Sequence, residues 1–492
     1  MISKKFIKSS AIYTIIGSMP LASAFFLLLF YTNYLTKPDY GALILYISYT
    51  SLVQIAMNFG LDTYITISYF DTRNNQSILK ERIGSIVGYL LLCGVSIGGL
   101  LWLTGSWIFN AVFDGKDLFF YPYGLMSVAT AFFNSFFKTY TTILVNREQP
   151  NRFFWVNLAN LLMTIAFSLG GLFLFPFTLV GPMWGRFLSG VGIFIIAFVA
   201  FNSEFSINFK LGKQLKKALS FSLPVLVFFL LTWVISNSYP FILKHYLSLS
   251  DVATFGLALQ FTYLVEFVLN GLSTAITPKV YALIKDNNLT RSTPELNRYF
   301  SSLNAISLLI IPLITLVIPL ILPLVINKDY DSSFVFLAVL NIGFTARSLY
   351  NYFITPAYIF KKTKVLPRIY SITAIIQVAV SILLIKYYGI WGAVWSNIAT
   401  KIFQNIMLYM ATRQFFDFKF NLTKFVYLPI TLTTAIIVAE YLFAPRININ
   451  LLHLLELAAS TILVWLAYKD ELSPLVRKMA LSVVSQFKNG NS

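Results

Sequence analysis

Four basic side chains lie inside apolar stretches of this sequence: Lys138, Arg186, Arg347 and Lys401. Each stretch is long enough to cross a membrane as a helix, which takes about 20 residues. A basic side chain at the centre of such a helix costs about 2.5–3.5 kcal/mol on insertion scales. Such a charge is kept where it faces water, a counter-charge or a ligand. The four cations therefore predict a polar path through a membrane domain, with Arg347 as one of its walls.

Neutral polar side chains accompany these cations at three- and four-residue steps, which place them on one face of a helix. Asn351 follows Arg347 by one helical turn, and Asn397 precedes Lys401 by one turn. We assign the following residues to substrate binding: Arg347, Lys401, Arg186, Lys138, Asn134, Asn351 and Asn397. We expect a second set to line the path or to take part in ion coupling: Glu266, Gln54, Asn58, Asn270 and Asp62.

The charges on these faces do not balance. Glu266 and Asp62, the second near a helix end, are the acidic residues in the same twelve segments. A purely structural set of ion pairs would be closer to neutral, so the excess favours a hydrated cavity for an anionic, partly polar cargo. A diphosphate with sugars attached fits this description. The alternatives are polar contacts between helices, worth about 0.6 kcal/mol each, and, for Lys138, extension towards the cytoplasmic surface.

The composition is that of a membrane protein. Hydrophobic residues make up 57% and charged residues 11% of the 492 positions, and the mean hydropathy is +0.73. Soluble domains have about 25% charged residues. The net charge of +18 is spread between apolar runs, which excludes a nucleic-acid-binding domain. The single cysteine excludes an intrachain disulfide, and the two histidines match no ligand pattern, so we predict no metal site and no cofactor.

Hydropathy along the chain predicts an all-α polytopic protein with about fourteen transmembrane helices. The predicted spans are 10–32, 41–68, 84–109, 118–145, 153–174, 178–201, 218–243, 252–277, 300–326, 332–360, 366–386, 390–412, 424–443 and 450–468. With both termini in the cytoplasm, 27 of the 37 basic residues lie on the cytoplasmic side, six lie outside and four lie within spans. This asymmetry supports the span count and the orientation, because basic residues concentrate in cytoplasmic loops.

The chain also contains a weak internal repeat at an offset of about 211 positions. Asn58-Phe59-Gly60-Leu61 aligns with Asn270-Gly271-Leu272, and Gly181-Pro182-Met183-Trp184 with Gly392-Ala393-Val394-Trp395. Six spans per repeat start both halves on the same side, which predicts two parallel six-helix bundles. The predicted domains are a bundle at 1–205, a basic linker at 206–217, a bundle at 218–412, two added helices at 413–468 and a cytoplasmic amphipathic tail at 469–492.

Several short motifs resemble those of the Wzx-type polysaccharide flippases, a branch of the multidrug/oligosaccharidyl-lipid/polysaccharide exporter superfamily. They are Pro38-Asp39-Tyr40-Gly41, Phe59-Gly60-Leu61, Leu215-Lys216-Lys217 and Ser222-Leu223-Pro224. The likeness extends over the whole chain. Two positions depart from the family pattern. Relatives often carry a basic residue where this chain has Asn33, and Asp-Arg where it has Tyr239-Pro240. Conclusions drawn from those charges in relatives do not apply to this chain.

The resemblance implies a function. Such a flippase moves an undecaprenyl-diphosphate-linked oligosaccharide, an O-antigen, capsule or exopolysaccharide unit, to the outer leaflet of the bacterial cytoplasmic membrane by alternating access of its two halves. Its expected partners are this lipid-linked substrate, membrane lipids and, in addition, a polysaccharide polymerase and a chain-length regulator, with no nucleic acid. Glu266 is the candidate for proton or sodium uptake during the cycle.

Three other functions stay open. A peptidoglycan lipid-precursor flippase has the same fourteen-span plan. A multidrug exporter of the same superfamily favours cationic drugs and acidic residues in its first spans, whereas the cavity predicted here is positive. A membrane polysaccharide polymerase or ligase needs a sizeable external loop with catalytic residues. The external loops here are about ten residues or shorter, and the sequence has no catalytic motif, so we predict a transporter rather than an enzyme.

Overall fold

A computed structural model of the chain describes residues 16–17, 19–113, 117–209, 213–443 and 448–473. Over these residues the chain is helical and contains no β-strand. Arg291 and Asp417 form one isolated bridge between two loops. The all-α prediction is therefore confirmed.

The chain divides into two compact units, one ending at Gly256 and the other beginning at Leu257. The helices of the first unit are α1 (Met19–Tyr34), α2 (Lys37–Asn58), α3 (Leu61–Thr72), α4 (Gln76–Phe113), α5 (Leu125–Asn146), α6 (Pro150–Leu174), α7 (Val180–Glu204), α8 (Lys213–Asn237) and α9 (Tyr239–Tyr246). α5 packs against α2, α4 and α7, and α6 packs against α7. The predicted domain boundaries stay predictions, and parts of the linker (210–212) and of the tail (474–492) lie outside the described residues.

The span predicted at 41–68 is two helices rather than one. α2 ends at Asn58, and Phe59 and Gly60 both have left-handed backbone conformations, with φ of 52° and 70°. A glycine adopts this conformation without strain. The position is also tight, because a Cβ on Gly60 would lie 3.0 Å from the Ser222 carbonyl oxygen. The Asn-Phe-Gly-Leu motif is therefore a helix-breaking turn packed against α8.

The second unit begins within α10 (Leu249–Asp286), which starts in the first unit. Its other helices are α11 (Pro294–Ile321), α12 (Ser332–Thr345), α13 (Arg347–Ile359), α14 (Val365–Tyr388), α15 (Ile390–Thr412), α16 (Leu428–Phe443) and α17 (Ile449–Ala467). α15 packs against α12, α13 and α14, while α11 packs against α13 and α17. This arrangement places α15 beside the junction between α12 and α13.

Among the described residues, nine helical segments are long and apolar enough to cross a membrane, and three shorter apolar helices accompany them. They confirm a polytopic membrane protein. Every one of the fourteen predicted spans overlaps a helix, but α5 and α15 are not among the nine. These two helices carry Lys138 and Lys401 with their polar stripes. The count of fourteen crossings and the cytoplasmic termini stay predictions, and both end segments, 1–15 and 474–492, lie outside the described residues.

Candidate functional site

The span predicted at 332–360 corresponds to one helical segment, Ser332–Ile359, that is long and apolar enough to cross a membrane. Arg347 follows a one-residue interruption of this helix. α12 ends at Thr345, Ala346 has φ of −79° and ψ of 0°, and α13 begins at Arg347. The Ala346 carbonyl accepts a hydrogen bond from Asn405 Nδ2 of α15 at 3.2 Å. The same carbonyl also accepts a bond from the Tyr350 backbone N–H at 3.0 Å, so the Asn405 bond is a second one, which ties α15 to this point of the chain.

The Arg347 guanidinium contacts two polar residues of α10 that lie one turn apart. Its Nη2 donates a hydrogen bond to Asn270 Oδ1 at 2.8 Å and lies 3.9 Å from Glu266 Oε1. The guanidinium also lies 4.7 Å from the centre of the Tyr350 ring. Its buried Nε has no hydrogen-bond partner within the described part of the chain. Arg347 is thus held by one amide, one aromatic ring and one distant carboxylate.

Lys401 lies against the last turn of α12. Its Nζ is 3.6 Å from the centre of the Phe344 ring. A Cβ on Gly343 would lie 2.9 Å from Lys401 Cδ and 3.2 Å from Nζ, so the side chain occupies space that only a glycine leaves. Asn397 Oδ1 is buried near this point and lacks a hydrogen-bond partner among the described residues. No carboxylate of the described residues forms an ion pair with Lys401.

A small cavity adjoins this site on α10, α11 and α13. Its volume is about 200 Å³, and Tyr350 and Asn351 form part of its wall. Asn351 Nδ2 donates to Ser273 Oγ of α10 at 2.7 Å, and the hydroxyls of Tyr350 and Tyr370 share a hydrogen bond. Polar contacts therefore continue from Arg347 to the cavity.

In the first unit the predicted residues form a second polar group. Lys138 Nζ lies 3.0 Å from Asp62 Oδ2, and its side chain is 46% exposed, against 9% for Asp62. The same Nζ lies 5.4 Å from the centre of the Phe229 ring. Asn58 is buried, and its Nδ2 donates to Thr139 Oγ1 at 3.3 Å. Lys138 thus has a carboxylate of its own, which cancels much of its charge.

The remaining predicted residues of the first unit have fewer contacts. Arg186 is half-buried on α7, and its buried Nε has no hydrogen-bond partner in the described ranges. Gln54 is half-buried on α2, and its backbone carbonyl accepts a hydrogen bond from Ser135 Oγ at 3.0 Å. Asn134 is half-buried on α5, one turn before Lys138.

The structure therefore brings together Arg347, Glu266, Asn270 and Asn351, with Lys401 and Asn397 on the other side of the α12–α13 break. Sequence reasoning did not select Gly343 or Tyr350 for this site. The spacing could have indicated Tyr350, which follows Arg347 by three positions on a helix. Nothing local marks Gly343, whose role depends on packing against α15. Within the described residues no group of three acidic, histidine or cysteine side chains could hold a metal ion.

The comparisons with known proteins agree with one another. A family model described as "Polysaccharide biosynthesis protein" matches residues 33–334. The structure of the lipid II flippase MurJ in an inward closed conformation superposes with a TM-score of 0.73 at 14% identity, covering 94% of this chain and 99% of that one. An inward-facing multidrug resistance MATE family transporter of the MOP superfamily has a TM-score of 0.65 at 14% identity, covering 81% and 94%.

A third structure, the Vibrio cholerae MATE transporter VcmN in a mutant form, has a TM-score of 0.59 at 15% identity, covering 84% of this chain and 96% of that one. At these identities the likeness establishes a shared fold. No curated protein sequence has a significant match to this chain.

Proposed function

Because the chain belongs to the polysaccharide biosynthesis protein family, we propose that it is a flippase for an undecaprenyl-diphosphate-linked oligosaccharide. It carries this lipid from the cytoplasmic to the outer leaflet of a bacterial cytoplasmic membrane. The observation that carries the proposal is the placement of Arg347 and Lys401 beside one helix break, with Glu266 as the nearby carboxylate. The pair leaves a net positive charge for an anionic cargo.

The contacts of Arg347 support exchange with a phosphate. Its 3.9 Å distance to Glu266 exceeds the 2.7–3.2 Å of a normal hydrogen bond, so this pair is loose. A guanidinium binds phosphate oxygens with two parallel, charge-assisted hydrogen bonds. A diphosphate therefore competes well for Arg347, and the Lys401 amine adds a second positive charge without giving up an ion pair.

The polar amides suit the sugars of the same cargo. Asn351 and Asn397 each lie one helical turn from a cation, and the buried Asn397 Oδ1 is free to accept a bond from a hydroxyl. Asn134 and Arg186 take corresponding roles in the first unit in this proposal. Lys138 contributes less, because Asp62 already neutralises it.

Glu266 is our candidate for coupling. If it takes up a proton or a sodium ion, Arg347 loses its only acidic neighbour of the described residues and attracts the diphosphate more strongly. Ion uptake and cargo binding would then favour each other. Alternating access of two halves, release to the outer leaflet and delivery to a polymerase with its chain-length regulator complete the proposed cycle.

A peptidoglycan lipid precursor is the second candidate cargo, because it presents the same diphosphate to Arg347 and Lys401. Cationic drugs fit a positively charged site poorly, since like charges repel. A polymerase or ligase activity has no support from the residues gathered here, none of which forms a nucleophile–base arrangement in the described structure.

Complementation of a deletion strain tests the proposal. We expect the strain to accumulate lipid-linked oligosaccharide in the cytoplasmic leaflet and to lack surface polysaccharide. Arg347→Ala and Lys401→Ala should fail to restore the polysaccharide, whereas Lys386→Ala, a matched loss of an exposed lysine whose Nζ lies 5.9 Å from the centre of the Tyr387 ring, should restore it. Normal surface polysaccharide from both site variants at normal membrane levels would refute the cationic site. Accumulation of lipid II with arrested cell-wall synthesis would assign the peptidoglycan precursor instead.

A further inference from the structure

The cavity beside Arg347 has the chemistry of a sugar-binding pocket. It lies between α10, α11 and α13, and three tyrosines line it: Tyr281, Tyr350 and Tyr358. Ser273, Asn351 and Thr355 add hydroxyl and amide groups to the wall. Tyrosine combines a large apolar ring with a polar hydroxyl at its edge. This combination matches a pyranose, which has apolar C–H faces and a rim of hydroxyl groups.

Some of these polar groups are already fixed by the protein, and others are available to a ligand. The Asn351 amide is oriented by its bond to Ser273 Oγ at 2.7 Å, and Thr355 Oγ1 donates to the Asn351 carbonyl at 2.6 Å. The hydroxyls of Tyr281 and Tyr358 have no hydrogen-bond partner among the residues described. The wall is thus rigid at Asn351 and has two open hydroxyls at its edge.

The cavity is too small for a whole oligosaccharide. Its volume of about 200 Å³ lies below the range of roughly 300–1,000 Å³ that is typical of pockets for drug-sized ligands. One ring with its substituents is the largest unit that such a space accepts, so the rest of a glycan must lie outside it.

Tyr350 connects this cavity to the cationic site. The same ring that lines the cavity also contacts the Arg347 guanidinium, whose centre is 4.7 Å from the ring centroid. A cargo with a diphosphate at Arg347 would therefore bring the sugar nearest that diphosphate close to Tyr350. The diphosphate would then face the Arg347 guanidinium, and the sugar would face the Tyr350 ring.

We propose that this cavity binds a single monosaccharide unit of the cargo, with Tyr281, Tyr350 and Tyr358 contacting the ring and Asn351 bonding its hydroxyls. The proposal rests on the proposed function, because it takes the ligand to be the glycan of the lipid-linked substrate. It adds a specificity site that is separate from the cations: the tyrosine-lined cavity selects the sugar, while Arg347 and Lys401 bind the charge.

Ligand-observed saturation-transfer NMR on the full-length protein in lipid nanodiscs tests this site. The probes are methyl β-glucoside, methyl N-acetyl-β-glucosaminide and, as a polyol that is not a pyranose, myo-inositol. We expect transfer to at least one glycoside and none to myo-inositol. Tyr281→Phe and Tyr358→Phe each remove one hydroxyl and keep the ring, so each should weaken glycoside binding by about two- to tenfold. Tyr388→Phe, at a tyrosine that is 64% exposed, should leave it unchanged.

Inorganic pyrophosphate separates this proposal from the function on which it rests. The two tyrosine variants should bind pyrophosphate as the unaltered protein does, and Arg347→Ala should lose that binding. Glycoside binding that is absent, equal to that of myo-inositol or unaffected by both tyrosine variants would overturn the sugar site even if pyrophosphate still binds. Loss of pyrophosphate binding in the tyrosine variants, with unchanged melting temperatures, would show that the cavity serves the charge instead and would also overturn it.

Discussion

Asn405 of α15 donates a hydrogen bond to the carbonyl of Ala346, the residue at which α12 ends and α13 has not yet begun. One turn earlier on the same face of α15 lies Lys401, packed on Gly343 and Phe344. The polar stripe of α15 therefore does two things at one place. It stabilises the helix break, and it holds a cation beside the arginine that the break positions.

Asn405→Leu should loosen the contact between α15 and the break, because the Ala346 carbonyl would keep its bond from the Tyr350 N–H but lose its side-chain donor. Polar contacts between membrane helices are worth about 0.6 kcal/mol and at most about 1.7 kcal/mol. We expect a loss of stability in that range and a larger loss of polysaccharide export, because the backbone that leads into Arg347 would lose its contact with α15. Gln404→Leu, at the neighbouring half-buried position, is the control. Thermal melting in detergent and complementation measure the two effects, and equal behaviour of both variants would contradict this role.

The sequence was informative where local chemistry decides the structure. The amphipathic faces and the membrane class follow from residue types and their periodicity, whereas the turn at Gly60 fell inside one predicted span and was missed. The resemblance to polysaccharide flippases is confirmed by the family match over residues 33–334 and the fold shared with MOP-superfamily transporters. The break at Ala346 was not foreseeable in this way. Neither glycine nor proline lies there, and its stabilising partner, Asn405, is 59 positions away. Tertiary contacts override local helix propensity at this point.

The ion pair between Lys138 and Asp62 could also not be predicted from the sequence. Both residues belonged to predicted polar faces, but two stripes on different helices reveal neither the register nor the rotation that brings them to 3.0 Å. The sequence predicted four positive charges against one or two negative ones, but the Lys138–Asp62 pair removes one charge of each sign from this count. The remaining positive charge attracts an anion less strongly than four free cations would. It is concentrated at Arg347, Lys401 and Arg186.

This difference between the cations predicts unequal mutants. Lys138→Ala should reduce polysaccharide export less than Lys401→Ala does, because Asp62 cancels the Lys138 charge whereas Lys401 has no ion pair in the described structure. The double variant Lys138→Ala/Asp62→Asn should export more than Lys138→Ala alone, since it removes the carboxylate left without its partner. Surface polysaccharide at matched membrane levels is the measurement. If Lys138→Ala reduced surface polysaccharide as much as Lys401→Ala does, the result would show that the Lys138–Asp62 ion pair separates to bind cargo.

Gly343→Ala should displace Lys401 without disturbing the fold. The added Cβ would lie 2.9 Å from Lys401 Cδ, which is closer than real contacts allow, but the lysine chain is flexible and can move aside. We expect pyrophosphate affinity to fall while the free energy of unfolding decreases by about 1 kcal/mol, the lower end of the cost of an added core atom, because the lysine side chain can yield. Gly271→Ala is a matched control on α10, because outside its own helix turn no atom of the described residues lies within 4 Å of the Cβ it would add. Unchanged pyrophosphate affinity in Gly343→Ala would mean that the observed position of Lys401 is not the binding position.

Glu266→Gln should tighten anion binding at Arg347. The substitution removes the carboxylate charge 3.9 Å from Nη2 and keeps a side chain of the same shape. A partly exposed pair of this kind is worth about 0.2–1 kcal/mol, so the Kd for pyrophosphate should fall by up to about fivefold. Glu295→Gln, at an exposed position at the start of α11, is the matched control and should bind pyrophosphate as the unaltered protein does. A Gln variant that binds pyrophosphate more weakly would contradict the competition between Glu266 and the anion, and would instead make this carboxylate necessary for holding Arg347 in its binding position.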